Sequence, residues 1–227
     1  MQRVRARSLL RLVVAVCALC IAAPALAVVV PRLGAPVPAV PAAPVPAPRV
    51  AVTKPLDLPG IEAGKAPWPA EWPHLAARLK AIGLPALSKE GTALHSHQHL
   101  DIWVRGVRIP VPSGFGFGVG SDKKVHFVAP IHTHDETGVI HVESPEQRPL
   151  TLGQVFDVWG LRFDRSCLGG ACASGATRLR VYVNGKAVPG DPRALKLAPY
   201  QEIAVVLGTP DQVPKRVPAT YAFDPGL

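Results

Sequence analysis

The sequence is short of the residues on which several common protein chemistries depend. Of its 227 residues, one is methionine, the initiator, and four are cysteine. Cu(I) trafficking proteins use soft thioether and thiolate ligands, so this composition disfavours that function. No Ser-His-Asp arrangement or nucleophilic-cysteine motif indicates a metal-free catalytic site. The glycine-rich stretch 113–120 has neither the lysine nor the strand-to-helix setting of a phosphate-binding loop.

Acidic residues are also few, 16 against 25 lysines and arginines, which makes the formal net charge +9. The excess is concentrated towards the N terminus. Residues 1–30 carry four basic and no acidic residues, 31–84 carry six and three, and 85–227 carry fifteen and thirteen. Since the expected folded region is nearly neutral, the composition does not predict a nucleic-acid partner.

The first 30 residues predict an export signal. An arginine-rich start precedes an apolar run from Leu12 to Val30, and Ala25-Leu26-Ala27 has the small residues of a cleavage site. The 19 residues 12–30 are alternatively long enough for an uncleaved membrane anchor. In either case we expect the remaining chain to be periplasmic or extracellular, with membrane contact only through this segment.

Residues 31–73 contain twelve prolines, alternating in part with alanine and valine. Proline lacks a backbone donor and fixes φ, so this stretch predicts an extended, semi-rigid linker. We therefore divide the chain into a signal or anchor (1–30), a linker (31–73), an α+β domain (74–209) and an irregular C-terminal tail (210–227).

Seven of the eight histidines fall between residues 95 and 141. Asp135-Glu136-Thr137-Gly138 has turn chemistry and separates two β-prone runs. A four-residue loop makes His134 face residue 139 and His132 face residue 141, so that one side of the hairpin carries the predicted metal ligands. They are His132, His134, His141 and Glu143.

A second histidine segment precedes this hairpin. His95, His97 and His99 share a strand face, but the outer two lie roughly 13 Å apart. We expect two of them to bind the metal, or all three to line a groove shared with the hairpin. Asp101, on the same face, and Asp135 are expected to orient the ligands. His126 is a weaker ligand candidate, and His74 is expected to be a surface residue.

The remaining pattern predicts the fold class. Short helices are expected after Pro73 and over 152–159, the latter capped by Thr151 and ended by Gly160. Hairpins are expected at 101–111 and around Asn184-Gly185, and a buried strand at 202–207. The expected fold is α+β, mainly antiparallel sheet with one central short helix. It is β-grasp-like, or alternatively a small β-barrel of the cupin kind.

Cys167 and Cys172 lie in the predicted exported region. Export favours a local disulfide between them, and a thiolate metal site or a redox pair is the alternative.

Several motifs resemble those of a family of uncharacterised exported or membrane-anchored prokaryotic proteins. They are His-x-His-x-His-Leu-Asp-Ile from residue 95, His-Thr-His-Asp-x-x-Gly-x-Ile-His-Val-Glu-Ser from residue 132, and Thr-Leu-Gly-Gln-x-Phe-Asp-x-Trp-Gly from residue 151. The resemblance covers about residues 75–208 and implies no established activity. The chain also resembles cupins, whose metal is held by three histidines and a glutamate. This resemblance is looser, because the spacing of the cupin ligands differs from the spacing in this sequence.

These features predict an exported domain that binds Zn²⁺ or Cu²⁺, the ions favoured by imidazole, for sequestration, delivery or sensing. One alternative is a metal-dependent hydrolase or oxygenase with a base among Glu143, Glu136 and Asp135. The others are a pH-responsive histidine face and a metal-free interaction domain. The sequence names no protein partner.

Overall fold

The computed structural model describes residues 58–227. The predicted signal or anchor and the linker up to residue 57 lie outside the described residues. Within this range the chain forms two α-helices, α1 (Leu75–Ile82) and α2 (Leu152–Trp159), with short 3-10 turns at Pro192–Ala194 and Pro210–Gln212. The strands are β1 (Leu94–Val104), β2 (Val107–Ile109), β3 (Phe117–Val119), β4 (Val125–Val128), β5 (Ile131–His132), β6 (Val139–Ser144), β7 (Cys167–Leu168), β8 (Ala171–Cys172), β9 (Arg178–Val183), β10 (Lys186–Val188) and β11 (Glu202–Gly208).

Seven of these strands form one mixed sheet in the order β10-β9-β11-β1-β6-β5, with β2 also paired to β1, whereas β3–β4 and β7–β8 are separate two-stranded ribbons. The central pair, β1 and β11, is parallel, and the other pairings are antiparallel. The expected α+β class with a mainly antiparallel sheet is therefore confirmed. The strand order begins at β10 and ends at β5, and these two edge strands do not pair with each other. The described strands therefore form an open sheet and not the barrel considered as an alternative.

Local sequence explains where the second helix begins and ends. Thr151 accepts a hydrogen bond from the Gln154 backbone N–H, and the Gln154 side chain accepts from the Thr151 N–H, which forms a capping box. Gly160 ends the helix at φ 87°, a conformation that glycine adopts without steric cost. All eight residues of α2 are buried, so this helix lies at the centre of the domain.

Both predicted short helices are present: α1 follows Pro73, and α2 is the central helix. The Arg78 guanidinium of α1 is fully buried and donates to the Val158 carbonyl of α2 at 3.1 Å. It also pairs with Glu71, which supplies the countercharge that a buried guanidinium requires. Arg78 thus joins α1 to α2. The spacing of apolar residues along α1 does not predict this contact, because the two residues are far apart in the sequence.

The folded domain begins before the predicted boundary at residue 74. Trp68 is 2% exposed, and Leu58 is also buried. Glu62 forms a β-bridge with Leu161, with its backbone N–H donating to the Gly160 carbonyl at 2.7 Å. The buried side chains of Trp68 and Leu58 therefore hold residues 58–73 against the domain. The prolines of this segment keep it out of regular strands.

The two faces of the central sheet differ in chemistry. Leu100, Ile102 and Ile140 are buried in the same hydrophobic core as the α2 side chains Val155 and Phe156. Side chains alternate along a strand, so the odd-numbered positions of β1 and β6 lie on the opposite face. That face carries histidines and carboxylates.

A disulfide joins Cys167 to Cys172 across the two-stranded ribbon β7–β8, as the sequence analysis expected. The Asn184-Gly185 turn, at φ 50° and 75°, is also as predicted. Within residues 58–227, no helix combines the length and the apolar character needed to cross a membrane.

Candidate metal centre

Strand register brings three histidines side by side. His97 of β1 pairs with His141 of β6, and His141 pairs on its other side with His132 of β5. The predicted hairpin register, with residue 132 opposite residue 141, is therefore confirmed. Two residues along each strand, on the same face, His95 pairs with Glu143. Neighbouring strands are about 4.8 Å apart, so the imidazoles of this row touch one another.

The hairpin ladder is shorter than expected. Pairing stops after His132, so His134 does not face residue 139 within a strand. The backbone of Thr133 bonds elsewhere: its N–H donates to the Phe115 carbonyl at 3.1 Å, and its carbonyl accepts from Gly114 at 2.9 Å. His134 lies in the bend that follows, and its side chain returns to the histidine face.

The closest pair of candidate ligands is His132 and His134, whose Nε2 atoms are 3.2 Å apart. Two nitrogens bound to one tetrahedral zinc at about 2.05 Å are separated by roughly 3.3 Å. His132 Nδ1 lies 3.1 Å from the Ala129 carbonyl, which can only accept, so Nδ1 carries the hydrogen and Nε2 the lone pair. The ring of His132 is thus oriented as in a bound ligand, and without an ion His134 donates to it.

His141 completes a group of three. One ring nitrogen from each of His132, His134 and His141 lies within 4.8 Å of the others. The His141 ring lies 4.4 Å from His134 and 5.4 Å from His132, centroid to centroid. His132 is buried, whereas the His134 side chain is 46% exposed. The group can therefore hold an ion whose remaining coordination position faces solvent.

A second group adjoins the first. His95, His97 and Glu143 also place ligand atoms within 4.8 Å of one another. Glu143 Oε1 lies 3.4 Å from His95 Nε2 and 3.4 Å from His141 Nδ1, and its Oε2 lies 4.0 Å from His132 Nε2. The carboxylate is buried and positioned between the two groups.

Glu90 also lies at the site, although no motif in the sequence indicated it. Its Oε1 lies 3.7 Å from the Nε2 atoms of both His132 and His134, and it forms a third candidate group with His132 and Glu143. A Cβ on neighbouring Gly91 would lie 2.3 Å from the Ser144 backbone. The absence of a side chain at Gly91 therefore allows this segment to pass close beside β6. This glycine is the feature of the sequence that could have indicated the close contact.

The glycine-rich loop 113–120 forms one wall of the site. A Cβ on Gly116 would lie 2.3 Å from the Ile131 carbonyl and 2.7 Å from His132 Cβ, so only glycine fits there without a shift. This close approach places the Phe117 ring 5.1 Å from the His132 ring and 5.5 Å from the His134 ring, both edge-on. The loop thus covers the histidines with an aromatic side chain.

Burial keeps the central imidazoles neutral. Desolvation, followed by the neighbouring histidines, lowers the pKa of His141 to about 3 and outweighs every other influence. Desolvation also lowers the pKa of His132 to about 4, against a smaller upward effect from the Ala129 carbonyl, and it lowers the pKa of His97. Burial raises the pKa of Glu143, and the Glu90 carboxylate raises it further. Neutral imidazoles retain the lone pair that a metal requires.

His99 has a different environment from the other two histidines of β1. Its Nδ1 lies 2.7 Å from Glu202 Oε2, and its Nε2 lies 2.9 Å from the Thr137 carbonyl. The Tyr221 ring stacks on it at 3.9 Å. His99, Asp101 and Glu202 also place ligand atoms within 4.8 Å of one another, but both ring nitrogens of His99 already contact acceptors. Its partner Glu202 was not selected from the sequence, where it reads as part of a buried strand.

The remaining candidates lie outside the His132–His134–His141 and His95–His97–Glu143 groups. Asp101 accepts from Arg108 Nε at 2.7 Å, and Asp135 accepts from the Thr137 backbone N–H at 2.9 Å and from its hydroxyl, so neither carboxylate orients a histidine. Glu136 is exposed in the bend. His126 is exposed and contacts Asp122 at 2.9 Å, and His74 is exposed beside Glu71.

The described part of the chain thus contains buried histidine and glutamate groups that can hold a metal ion. Comparison with protein-family models, curated proteins and solved structures finds no match to this chain.

Proposed function

We propose that this domain binds a divalent transition ion, Zn²⁺ or Cu²⁺, through His132, His134 and His141. The observation that carries the proposal is the pair of Nε2 atoms 3.2 Å apart, with His132 fixed by the Ala129 carbonyl in the tautomer that binds metal. Imidazole ligands suit zinc and copper, and the structure offers no thioether or free thiolate near them within residues 58–227.

The proposed role is sequestration, delivery or sensing of the ion outside the cytosol. Export is supported by the predicted N-terminal signal and by the Cys167–Cys172 disulfide, a bond that persists in oxidising compartments. The half-exposed His134 lets an ion enter and leave from solvent without unfolding of the domain. Residues 12–30 then either tether the domain to the membrane or release it after cleavage.

Metal analysis of the purified chain tests this proposal. After equilibration with Zn²⁺ or Cu²⁺ and removal of excess, elemental analysis is expected to find at least one ion per chain. The variant His132→Ala/His134→Ala should lose the tightest-bound ion, with a decrease in affinity of roughly 100-fold or more, since the loss of groups that only orient ligands already costs 10–100-fold.

The matched control is His74→Ala/His126→Ala, which removes two exposed histidines outside the site. It should bind metal as the unmodified chain does. Undiminished high-affinity binding in His132→Ala/His134→Ala would contradict the proposal, and so would a chain that binds neither ion.

A metal-dependent hydrolase is the second candidate function. Three histidine ligands with a solvent-facing fourth position are typical of catalytic zinc sites, and Glu90, 3.7 Å from two of the nitrogens, stands where a base for bound water would be needed. If the zinc-loaded chain hydrolyses activated esters or phosphoesters, Glu90→Gln should abolish turnover while the ion stays bound.

We further propose that the fold is β-grasp-like. The parallel central pair β1–β11, the antiparallel partners on either side and the helix α2 over one face support this assignment.

A further inference from the structure

We infer that the histidine face binds a second divalent ion at His95, His97 and Glu143, next to the first, with the Glu143 carboxylate shared between the two. The inference rests on the proposed metal-binding function and extends it from one ion to a two-metal centre.

The first observation is an unsatisfied nitrogen. His97 is 4% exposed, and its Nε2 is buried without a hydrogen-bond partner. A buried polar atom without a partner has lost its hydrogen bonds to water without replacement, so proteins rarely leave one unless something else satisfies it. The His97 ring lies edge-on to the rings of His95 at 4.9 Å and His141 at 4.6 Å. A cation coordinated among these rings would use the lone pair of that nitrogen.

The second observation is the position of Glu143. Its Oε1 is 3.4 Å from His95 Nε2, close to the separation of roughly 3.3 Å between two ligands of one tetrahedral ion. The same oxygen is 3.4 Å from His141 Nδ1, and Oε2 is 4.0 Å from His132 Nε2. The carboxylate therefore reaches ligands of both groups at once, as a bridging ligand must.

Strand pairing explains how the two groups come to be neighbours. His141 of β6 stands between His97 of β1 and His132 of β5, and Glu143 is the next residue on the same face of β6. Strands are separated by about 4.8 Å, which is compatible with the spacing of 3.5–4 Å between the ions of known two-metal centres after small side-chain adjustments. Glu143 and Glu90 together provide two negative charges against four positive ones.

The competing arrangement is a single ion that takes ligands from both groups. Glu90, His132 and Glu143 form such a combination. A single ion at that position would leave His95 and His97 without a role in metal binding. The two arrangements therefore differ in the number of ions bound and in the effect of removing His95.

Titration of the metal-free full-length chain with Zn²⁺ distinguishes the one-ion arrangement from the two-ion arrangement. Calorimetry and elemental analysis give the number of ions bound. The unmodified chain is expected to bind two ions. His95→Ala, a change at a half-exposed position that the fold should tolerate, is expected to bind one ion with the affinity of the tighter site. His134→Ala is expected to impair the other site, and His126→Ala, the control, should still bind two.

Glu143→Gln tests the shared ligand. It is expected to lose the second ion and to weaken the first about tenfold or more. Cu²⁺ provides a measurement of proximity, since two bridged ions should give a magnetically coupled electron paramagnetic resonance spectrum, and His95→Ala should restore the signal of an isolated ion. Circular dichroism of each variant establishes that the fold is retained.

The outcomes distinguish the two proposals. A chain that binds no ion contradicts both. One ion per chain, with His95→Ala unchanged in affinity, overturns the two-metal centre and leaves the proposed function intact. Two ions without magnetic coupling, or a Glu143→Gln variant that still binds two ions tightly, reject the shared carboxylate.

Discussion

His97 and His99 lie two residues apart on β1 and face the same side of the sheet, but their surroundings differ. His99 has an acceptor at each ring nitrogen, the Glu202 carboxylate and the Thr137 carbonyl, and an aromatic ring stacked on it. His97 has other imidazoles around it, and its Nε2 has no partner. The first environment provides a hydrogen-bond acceptor beside each ring nitrogen, whereas the second leaves Nε2 of His97 available to a cation.

The neighbouring strands create this difference. Opposite His97 is His141 of β6, whereas opposite His99 are Val139 of β6 and, on the parallel side, Glu202 of β11. A carboxylate from the last strand of the fold thus makes His99 structural, and a histidine from the hairpin makes His97 a candidate ligand. Residues identical in type, face and strand acquire different roles from their cross-strand partners.

Replacement of each ring by phenylalanine should separate the two histidines most clearly. His99→Phe leaves the buried Glu202 carboxylate without its hydrogen-bond partner, and an unsatisfied buried group of this kind costs about 1–3 kcal/mol or more. His97→Phe removes an unsatisfied nitrogen while retaining a ring of similar size, so the metal-free protein should be unchanged or up to about 1 kcal/mol more stable. Urea unfolding in the presence of a chelator measures both.

Metal binding should show the reverse order in the same two variants. His97→Phe is expected to lose the second ion, and any His99→Phe protein that folds should keep both. Equal losses of stability in the two variants, or loss of metal on replacement of His99, would remove the distinction drawn between them.

The stability of the metal-free chain should decline as pH falls from 7.5 to 5. Burial lowers the folded-state pKa of His132 to about 4 and that of His141 to about 3, so below about 6.5 the unfolded chain takes up protons that the folded chain does not. Each such histidine costs on the order of 2 kcal/mol over this interval. The raised pKa of Glu143 acts in the opposite direction, because its stabilising effect is present at low pH and is lost as pH rises.

The measurement is the free energy of unfolding against pH in chelator. In the variant His132→Gln/His141→Gln the decline should be markedly smaller. A slope of unchanged size in that variant would mean that other groups cause the pH dependence.

Much of the local structure was predictable because short-range chemistry determines it. The capping box at Thr151, the Asn184-Gly185 turn and the pairing of residue 132 with 141 each depend on a few neighbouring residues. The disulfide spans six residues and was likewise expected. The shared face of His95, His97 and His99 followed from strand periodicity alone.

The contacts that decide roles in the site were not predictable, because they join distant parts of the chain. Glu202 is 103 positions beyond His99, and Glu90 reaches the site only because Gly91 passes close to the Ser144 backbone. Asp101 was expected to orient a histidine but pairs with Arg108, which the neighbouring strand β2 presents to it. Membership of the resembled prokaryotic family stays a prediction.

The smallest expected effect concerns Gly138, which connects the hairpin to His99. Its φ is 93°, and a Cβ there would lie 2.7 Å from the Leu100 carbonyl and 3.0 Å from His99 Nε2. Gly190 has a similar φ of 99° but open space around it. Both alanine variants carry the backbone strain of a positive φ, on the order of 1 kcal/mol or more.

Only Gly138→Ala also displaces the backbone beside His99. We therefore expect Gly138→Ala to be less stable than Gly190→Ala by about 1 kcal/mol or more in chemical denaturation. If equal destabilisation were found, the tight approach of residue 138 would not hold His99 in place, and the hydrogen bond to the Thr137 carbonyl would lose its explanation. The atoms nearest to a Cβ at residue 138 belong to Leu100 and His99 and not to a proposed ligand, so metal stoichiometry should be the same in both variants.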